Sequence, residues 1–193
     1  RLHDALTSAG SVMLVGGGTV GIEMTGELAS AFPDLEIILV ESGDSILSTP
    51  GYTQELRDAI TEQLDELGVR VVTGSPLAYL PPIQAGQLGR FSVQTHNGDQ
   101  IEADIWFQCY GATANSGYLA GTEYEELLHP NGTIRVDPTL QVKGHSNVYA
   151  IGDITDVRES KRADAARQQA RVVIANITHQ LEGGEPDISY QPT

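Results

Sequence analysis

The sequence predicts an α/β fold in which a parallel sheet flanked by helices is joined to a small antiparallel β-meander. Residues 11–15 form an apolar run that meets three glycines, and residues 20–32 then repeat apolar side chains with helical spacing. After residue 79 the spacing changes to alternation, which is typical of half-buried antiparallel strands. A strand, a glycine turn and a helix in that order are the start of a Rossmann-like domain.

The first half of the chain is predicted to form a βαβ unit, then one more helix and one more strand. Pro33 breaks the first helix, Thr53 can cap the second, and Gly68 ends it. The predicted elements are a strand at residues 11–15, a helix at 20–32, a strand at 36–40, a helix at 53–67 and a strand at 69–74.

The second half begins with a predicted antiparallel hairpin that turns at residues 96–99 (HNGD). A loop at residues 111–116 then follows a buried strand, and ligands of open α/β sheets bind at such carboxyl ends. The predicted elements are the hairpin at residues 91–105, strands at 104–110, 133–136, 140–142 and 147–151, and a helix at 160–181.

Composition limits the expected partners. The chain of 193 residues carries 11 basic and 26 acidic side chains, and its net charge of −15 repels phosphate backbones. Nucleic acid is therefore not an expected partner. Five of the basic residues lie within 158–171, which we interpret as a solvated or ion-paired helix face; the alternative is a nucleic-acid patch, which the overall charge opposes.

Apolar runs and cysteine usage bear on the expected compartment. No apolar run approaches the roughly 18 residues of a membrane helix. The single cysteine, Cys109, excludes an internal disulfide, so the expected location is the cytoplasm. The five histidines lack metal-ligand spacing, so no metal site is predicted.

The turn at residues 16–21 has the glycine spacing of a dinucleotide-binding loop. Gly16 allows a sharp exit from the strand, Gly18 allows backbone to approach a pyrophosphate, and Gly21 allows the helix to pack closely on the strand. Gly17, Thr19 and Val20 complete the turn, which places a helix amino-terminus against the anionic phosphates. All six residues are predicted cofactor contacts.

Three acidic residues downstream in the sequence are candidate functional residues. Glu41, twenty residues beyond Gly21, can accept both ribose hydroxyl hydrogen bonds, and Ser42 beside it is a further predicted contact; the carboxylate favours NADH over NADPH. The alternative for Glu41 is a solvated strand-end acid. Glu23 is expected in the first helical turn, where the helix dipole stabilises a carboxylate. Asp153, after an apolar strand and Gly152, can hold a polyol hydroxyl or cap a helix.

Three motifs together resemble those of the two-dinucleotide-binding-domain flavoproteins, the FAD-dependent pyridine nucleotide-disulfide oxidoreductases. They are GGGTVGIE at 16–23, DIWFQCYGATANS at 104–116 and LQVKGHSNVYAIGDITDVRES at 140–160. Their order and spacing are similar to those of the quinone reductases related to apoptosis-inducing factor and of the type II NADH dehydrogenases. The resemblance covers nearly the whole chain.

The resemblance implies a domain organisation in which a NADH domain is inserted into a FAD domain. Residues 1–10 would connect to residues 11–146, the NAD(P)H-binding domain. Residues 147–182 would be the returning segment of the FAD domain, and 183–193 a linker. Because the chain starts at Arg1 and lacks the other family domains, we expect it to be a fragment, inactive by itself.

The resemblance also implies roles for individual residues. Asp153 would hydrogen-bond the FAD ribityl chain, with Gly152 allowing close approach. Glu23 would lie beside flavin and nicotinamide as the catalytic residue. The other implied cofactor contacts are Gly111, Ala112 and Asn115 near the nicotinamide dinucleotide, and Gln168 and Gln169 near the flavin ring and quinone.

The function expected from the resemblance is hydride transfer from NADH to FAD, with electrons passing to a quinone or another small-molecule acceptor. The alternative is a redox-sensing or interaction module that binds NADH without turnover. In the full-length protein we expect a cytoplasmic location that can be peripheral to a membrane. Surface left by the absent FAD unit, including the apolar side of the last helix, is expected to favour self-association.

Overall fold

The computed structural model describes residues 1–48, 51–111, 113–159 and 161–192. The chain divides into two compact units, Arg1–Gly111 and Ala112–Thr193. This division is geometric, and the assignment of residues 147–182 to a FAD domain stays a prediction.

The first unit carries nearly all of the regular structure. Its elements are α1 (Leu2–Ser8), β1 (Ser11–Val15), α2 (Thr19–Ala31), β2 (Glu36–Val40), α3 (Gln54–Glu66), β3 (Arg70–Val72), β4 (Phe91–Gln94), β5 (Gln100–Ala103) and β6 (Ile105–Gln108). Four strands form a sheet in the order β3-β2-β1-β6 with every neighbouring pair parallel, while β4 and β5 pair antiparallel by themselves. The predicted α/β class with an antiparallel hairpin is therefore confirmed. Helix α1 was not predicted.

Strand β1 lies at the centre of the sheet and separates two apolar clusters. Val12 and Leu14 pack with residues of α2 and α3, while Met13 and Val15 pack with the β4-β5 hairpin. Successive side chains of a strand point to opposite faces, so a strand covered on both faces is apolar throughout. This burial fixes the position of the carboxyl end of β1, where the glycine turn begins.

The helix ends follow the predicted capping residues. The Thr53 hydroxyl accepts a hydrogen bond from the Leu56 N–H at 3.3 Å, and Gly68 has φ of 71° after the end of α3. The expectation that Glu23 lies in the first turn of α2 is wrong. Because α2 starts at Thr19, its first turn holds no acid and Glu23 falls in the second turn. The helix dipole therefore does not account for Glu23.

The second unit contains one long helix, α4 (Ala163–Leu181), and three short 3₁₀ turns at residues 117–119, 125–127 and 152–154. Strands predicted at 133–136, 140–142 and 147–151 are wrong, because these segments pair only at isolated bridges. Their pairing is interrupted where Leu140 and Gly144 adopt φ of 67° and 83°. Helix α4 starts later than predicted, and Ser160 lies outside the described residues.

Two further expectations concern the end of the chain. The segment predicted as a linker is held in place, since the Ile188 N–H donates to Asn176 Oδ1 at 3.0 Å and the Tyr190 N–H to the Pro138 carbonyl at 2.8 Å. Helix α4 exposes Ile174, Ile177 and Leu181, the apolar side predicted to favour self-association. Within the described ranges, no helix is long and apolar enough to cross a membrane.

Candidate functional site

A cavity of about 590 Å³ lies in the first unit, at the carboxyl ends of β1, β2 and β6. Ligands of open parallel sheets bind at such ends, because loops diverge there and helix amino-termini face the opening. The residues that line the cavity include Gly16, Gly18, Glu41, Ser42, Ser48, Ser75, Pro76, Leu77, Tyr79, Leu80, Cys109 and Tyr110.

Two glycines of the turn are required by the chain itself. Gly16 has φ of 111°, and its N–H donates to the Val40 carbonyl at 2.7 Å. A Cβ on Gly21 would overlap the Gly16 carbonyl oxygen and lie 3.1 Å from its carbonyl carbon. The first turn of α2 therefore packs directly on the end of β1.

Gly18 is different, because nothing in the described chain requires a glycine there. Its φ is −76°, which any residue adopts, and a Cβ on it would meet no atom within 4 Å. Gly18 is also the N-cap of α2 and provides no side-chain hydrogen bond to the helix. Because no side chain covers the amino-terminus of α2 at Gly18, an anionic pyrophosphate can approach its backbone N–H groups closely.

Glu41 fastens the turn to the end of β2. Its Oε2 accepts from the Gly17 N–H at 2.6 Å, and its Oε1 accepts from the Gly43 N–H at 2.7 Å and the Ser42 hydroxyl at 3.2 Å. Only 7% of Glu41 is exposed, yet it lines the cavity. Because a carboxylate accepts about four hydrogen bonds, it retains capacity for a ligand hydroxyl.

Part of the cavity wall was not predicted from the sequence. Leu47 has φ of 49°, and its N–H donates to the Gly17 carbonyl at 2.8 Å, so residues 42–48 fold against the turn. Ser75, Pro76 and Leu77 follow β3 closely and form another side. Their place just beyond a parallel strand is the signal that could have found them.

The remaining candidates of the first unit lie at different exposures. Glu23 is exposed on α2 and is not among the residues that line the cavity. Gly111 is exposed with φ of 70°, and Ala112 lies outside the described residues. Burial raises the pKa of the thiol of Cys109, which lines the cavity, and so favours its neutral form.

In the second unit the Gly152-Asp153 turn exposes its acid. Gly152 has φ of 76° and begins the 3₁₀ turn, and Asp153 next to it is exposed. Asn115, in the 113–116 segment, is exposed as well. A carboxylate in this position can accept hydroxyl hydrogen bonds, so the turn fits the predicted contact with a polyol chain.

The two glutamines of α4 differ. Gln168 is half-buried, whereas Gln169 is fully buried, accepts from the Gly152 N–H at 2.7 Å and donates to Glu159 Oε1 at 2.6 Å. The Gln169 amide is thus bonded on both sides within the chain. Its predicted contact with flavin or quinone stays a prediction, and its observed partners indicate support of the Gly152 turn instead.

Two residues of the basic run around the start of α4 have local partners. Lys161 Nζ donates to the carbonyls of Thr155 at 2.7 Å and Val157 at 3.0 Å, and exposed Arg162 lies 3.6 Å from Asp164. The interpretation of this stretch as a solvated or ion-paired face stays a prediction. Among the described residues no group of His, Cys, Asp and Glu is arranged to hold a metal ion.

A parallel sheet, a glycine turn over a helix amino-terminus and an acid at the next strand end define a Rossmann-type dinucleotide-binding protein. A family model described as "Pyridine nucleotide-disulphide oxidoreductase" matches residues 1–170, and the chain belongs to this family.

Relatives and a solved structure agree with that membership. The chain is 32% identical to ferroptosis suppressor protein 1 of Homo sapiens, over 94% of the chain and 48% of the relative. It is 30% identical to a FAD-dependent oxidoreductase of Flammulina velutipes, over 91% of the chain and 52% of the relative. A pyridine nucleotide-disulfide family oxidoreductase from Enterococcus faecalis has the same fold, with a TM-score of 0.76 and 20% identity over 96% of this chain and 42% of that one. The chain spans about half the length of the curated relatives it matches.

Proposed function

We propose that the chain is the NADH-binding part of a FAD-dependent oxidoreductase, which passes a hydride from NADH to flavin and electrons on to a quinone or another small-molecule acceptor. The observation that carries the proposal is Gly18, a glycine required by neither backbone conformation nor packing at the amino-terminus of α2. Family membership supports the reaction class, and the name of the 30% identical relative supports FAD as the second cofactor.

The cavity offers a different chemistry to each part of NADH. The pyrophosphate would be held by backbone N–H groups at the start of α2, which supply partial positive charge without a basic side chain. Glu41 and Ser42 would accept and donate hydrogen bonds to the adenosine ribose. The apolar wall at Leu77, Tyr79 and Leu80 would shield the adenine from water.

The cavity favours NADH over NADPH because of its charge. Glu41 lies where a 2′-phosphate would meet a carboxylate, and no Lys or Arg is among the residues that line this cavity in the described ranges. Arg57 donates its Nε–H to the Leu47 carbonyl at 3.1 Å and is not among the residues that line the cavity. A 2′-phosphate would therefore be repelled by the Glu41 carboxylate, with no cationic side chain in the cavity lining to offset the repulsion.

Flavin, when bound, supplies the chemistry that takes up the hydride and releases electrons to the acceptor. The residues of this chain that would hold it are Asp153, through hydroxyl hydrogen bonds, and Gly152, through close backbone approach. Glu23 would act beside the reacting rings, and Gln168 would border the flavin. Gly111, Ala112 and Asn115 would contact the nicotinamide side of the dinucleotide.

Anaerobic mixing of NADH with the flavin-loaded full-length protein tests the proposal. We expect NADH to bleach the visible flavin absorbance, and we expect Gly18→Ala to slow the bleaching at subsaturating NADH by at least about tenfold, since a methyl group would occupy the pyrophosphate approach. Binding of NADH without any bleaching would contradict electron transfer. It would favour the alternative, a redox-sensing module.

A further inference from the structure

A chain of hydrogen bonds in the second unit links the end of the polypeptide to the Gly152-Asp153 turn. Tyr190 Oη donates to Glu159 Oε2 at 2.7 Å, Gln169 Nε2 donates to Glu159 Oε1 at 2.6 Å, and the Gly152 N–H donates to Gln169 Oε1 at 2.7 Å. Both Glu159 oxygens therefore accept, and the Gln169 amide is bonded at both ends. This series of hydrogen bonds starts at Tyr190, which was predicted to lie in a linker.

The series of hydrogen bonds is partly shielded from water. Gln169 is fully buried, Tyr190 is 7% exposed and Glu159 is half-buried, so solvent competes for these bonds only in part. Burial and the neighbouring Glu159 carboxylate raise the pKa of Tyr190 to about 12. The phenol therefore stays a donor at neutral pH.

The Gly152 turn is fixed on both of its backbone groups. Its N–H is held by Gln169, and its carbonyl accepts from the Thr155 N–H at 3.1 Å and the Thr155 hydroxyl at 2.9 Å. The φ of 76° at Gly152 is one that other residues rarely adopt. Asp153 follows directly, so the direction of its exposed carboxylate depends on these anchors.

The carboxyl-terminal segment is also anchored by hydrogen bonds that do not involve Glu159. Asn176, fully buried and seven residues beyond Gln169 on the same face of α4, donates to the Ile188 carbonyl at 2.8 Å and accepts from the Ile188 N–H at 3.0 Å. With the Tyr190 N–H held by Pro138, the phenol is delivered to Glu159 from a fixed backbone.

We propose that Tyr190 is a positioning residue, which acts through Glu159 and Gln169 to set the Gly152-Asp153 turn for flavin binding. The proposal rests on the proposed function, because it takes Asp153 as the acid that meets the flavin side chain. It assigns to the last residues of the chain a role in cofactor affinity that their composition does not predict.

The first arm of the test needs no flavin. In the 193-residue chain, amide hydrogen exchange of Gly152 is measured by NMR for the wild type and for Tyr190→Phe, Gln169→Leu and Tyr118→Phe. Loss of one hydroxyl should speed Gly152 exchange by at least about fivefold, and loss of its acceptor in Gln169→Leu by more. Tyr118→Phe is the control, because Tyr118 is 71% exposed, and it should leave the rate unchanged.

The second arm measures FAD affinity in the full-length protein, with the thermal midpoint recorded for each variant. Tyr190→Phe should weaken FAD binding about three- to tenfold at a temperature where its thermal midpoint shows that it is fully folded, and Asp153→Asn by at least as much. If Asp153→Asn weakens FAD binding but Tyr190→Phe alters neither FAD affinity nor Gly152 exchange, the positioning role is overturned. If Asp153→Asn leaves FAD affinity unchanged, the flavin assignment itself fails, and the exchange data still decide whether Tyr190 holds the turn.

Discussion

Replacing Glu41 by Gln is expected to abolish the preference for NADH over NADPH. The carboxylate is 7% exposed at the edge of the cavity, where a 2′-phosphate would lie close to it. Two unit charges about 4 Å apart repel by about 1 kcal/mol in bulk water and about 4 kcal/mol at the effective dielectric constant of a protein surface. Since 1.4 kcal/mol is a factor of ten, the wild type should prefer NADH by at least about tenfold at physiological salt.

The same substitution also loosens the turn, and this second effect must be separated from the first. The Gly17 and Gly43 N–H groups bond different oxygens of Glu41, and the NH₂ that replaces one of them in Gln cannot accept, so Glu41→Gln should weaken the binding of both nucleotides. Only the loss of the negative charge should change the ratio of the NADPH and NADH dissociation constants. Ser42→Ala is the matched control, because it removes a hydroxyl that bonds Glu41 at 3.2 Å and leaves the charge in place.

The assay is titration of NADH and NADPH by their fluorescence on binding to each variant. We expect a ratio of dissociation constants of at least about ten for the wild type and Ser42→Ala, and near one for Glu41→Gln. Equal affinities in the wild type would refute the reasoning. So would a preference that survives Glu41→Gln unchanged.

Three further predictions follow from single contacts. Gly21→Ala should prevent stable folding in calorimetry, because its methyl group would overlap the Gly16 carbonyl. Gly18→Ala should fold with a loss of at most about 1 kcal/mol, since alanine is a poorer N-cap than glycine, and should bind NADH at least about tenfold more weakly in titrations. Thr53→Ala should lower the free energy of unfolding by about 1 kcal/mol in urea titrations without changing NADH affinity, because it removes only the cap of α3. Because the pKa of Tyr190 is raised to about 12, its contribution to the free energy of unfolding should be complete below about pH 10 and lost between about pH 10 and 12. Urea unfolding curves of Tyr190→Phe, measured across this range, should show a smaller fall in the free energy of unfolding than those of the wild type.

Much of the first unit could be predicted because its signals are local. The strands at 11–15 and 36–40 were predicted with the observed bounds, since strands buried on both faces are continuous apolar runs. Thr53 and Gly68 mark the ends of α3 by capping chemistry that any helix needs. The glycine turn could be placed because Gly16 and Gly21 each have a separate steric reason to be glycine.

The strands of the second unit could not be predicted in the same way. Residues 133–151 alternate like strands, yet a strand also needs a partner along its whole length, and the backbone at Leu140 and Gly144 interrupts pairing. Sequence periodicity reports which side chains prefer burial. It doesn't report how far two segments stay in register.

The hydrogen bonds that Glu41 makes within the chain were likewise not predictable from the sequence. Its spacing from Gly21 predicted an acid at the ribose, but not its hydrogen bonds to the Gly17 and Gly43 N–H groups. Gln169 shows the same limit, since the family resemblance implied a cofactor contact while its buried amide is bonded to Gly152 and Glu159. The hydrogen-bond partners of such side chains depend on contacts between residues that are distant in sequence.

The central claim is that NADH binds over the turn at residues 16–21, and an NMR titration of the chain with NADH tests it most directly. We expect the largest amide shifts on Gly17, Gly18, Thr19 and Val20, with Glu41 and Ser42 next. Gly18→Ala should remove these shifts at the same NADH concentration. Largest shifts elsewhere in the chain, or shifts at the turn that survive Gly18→Ala, would contradict it.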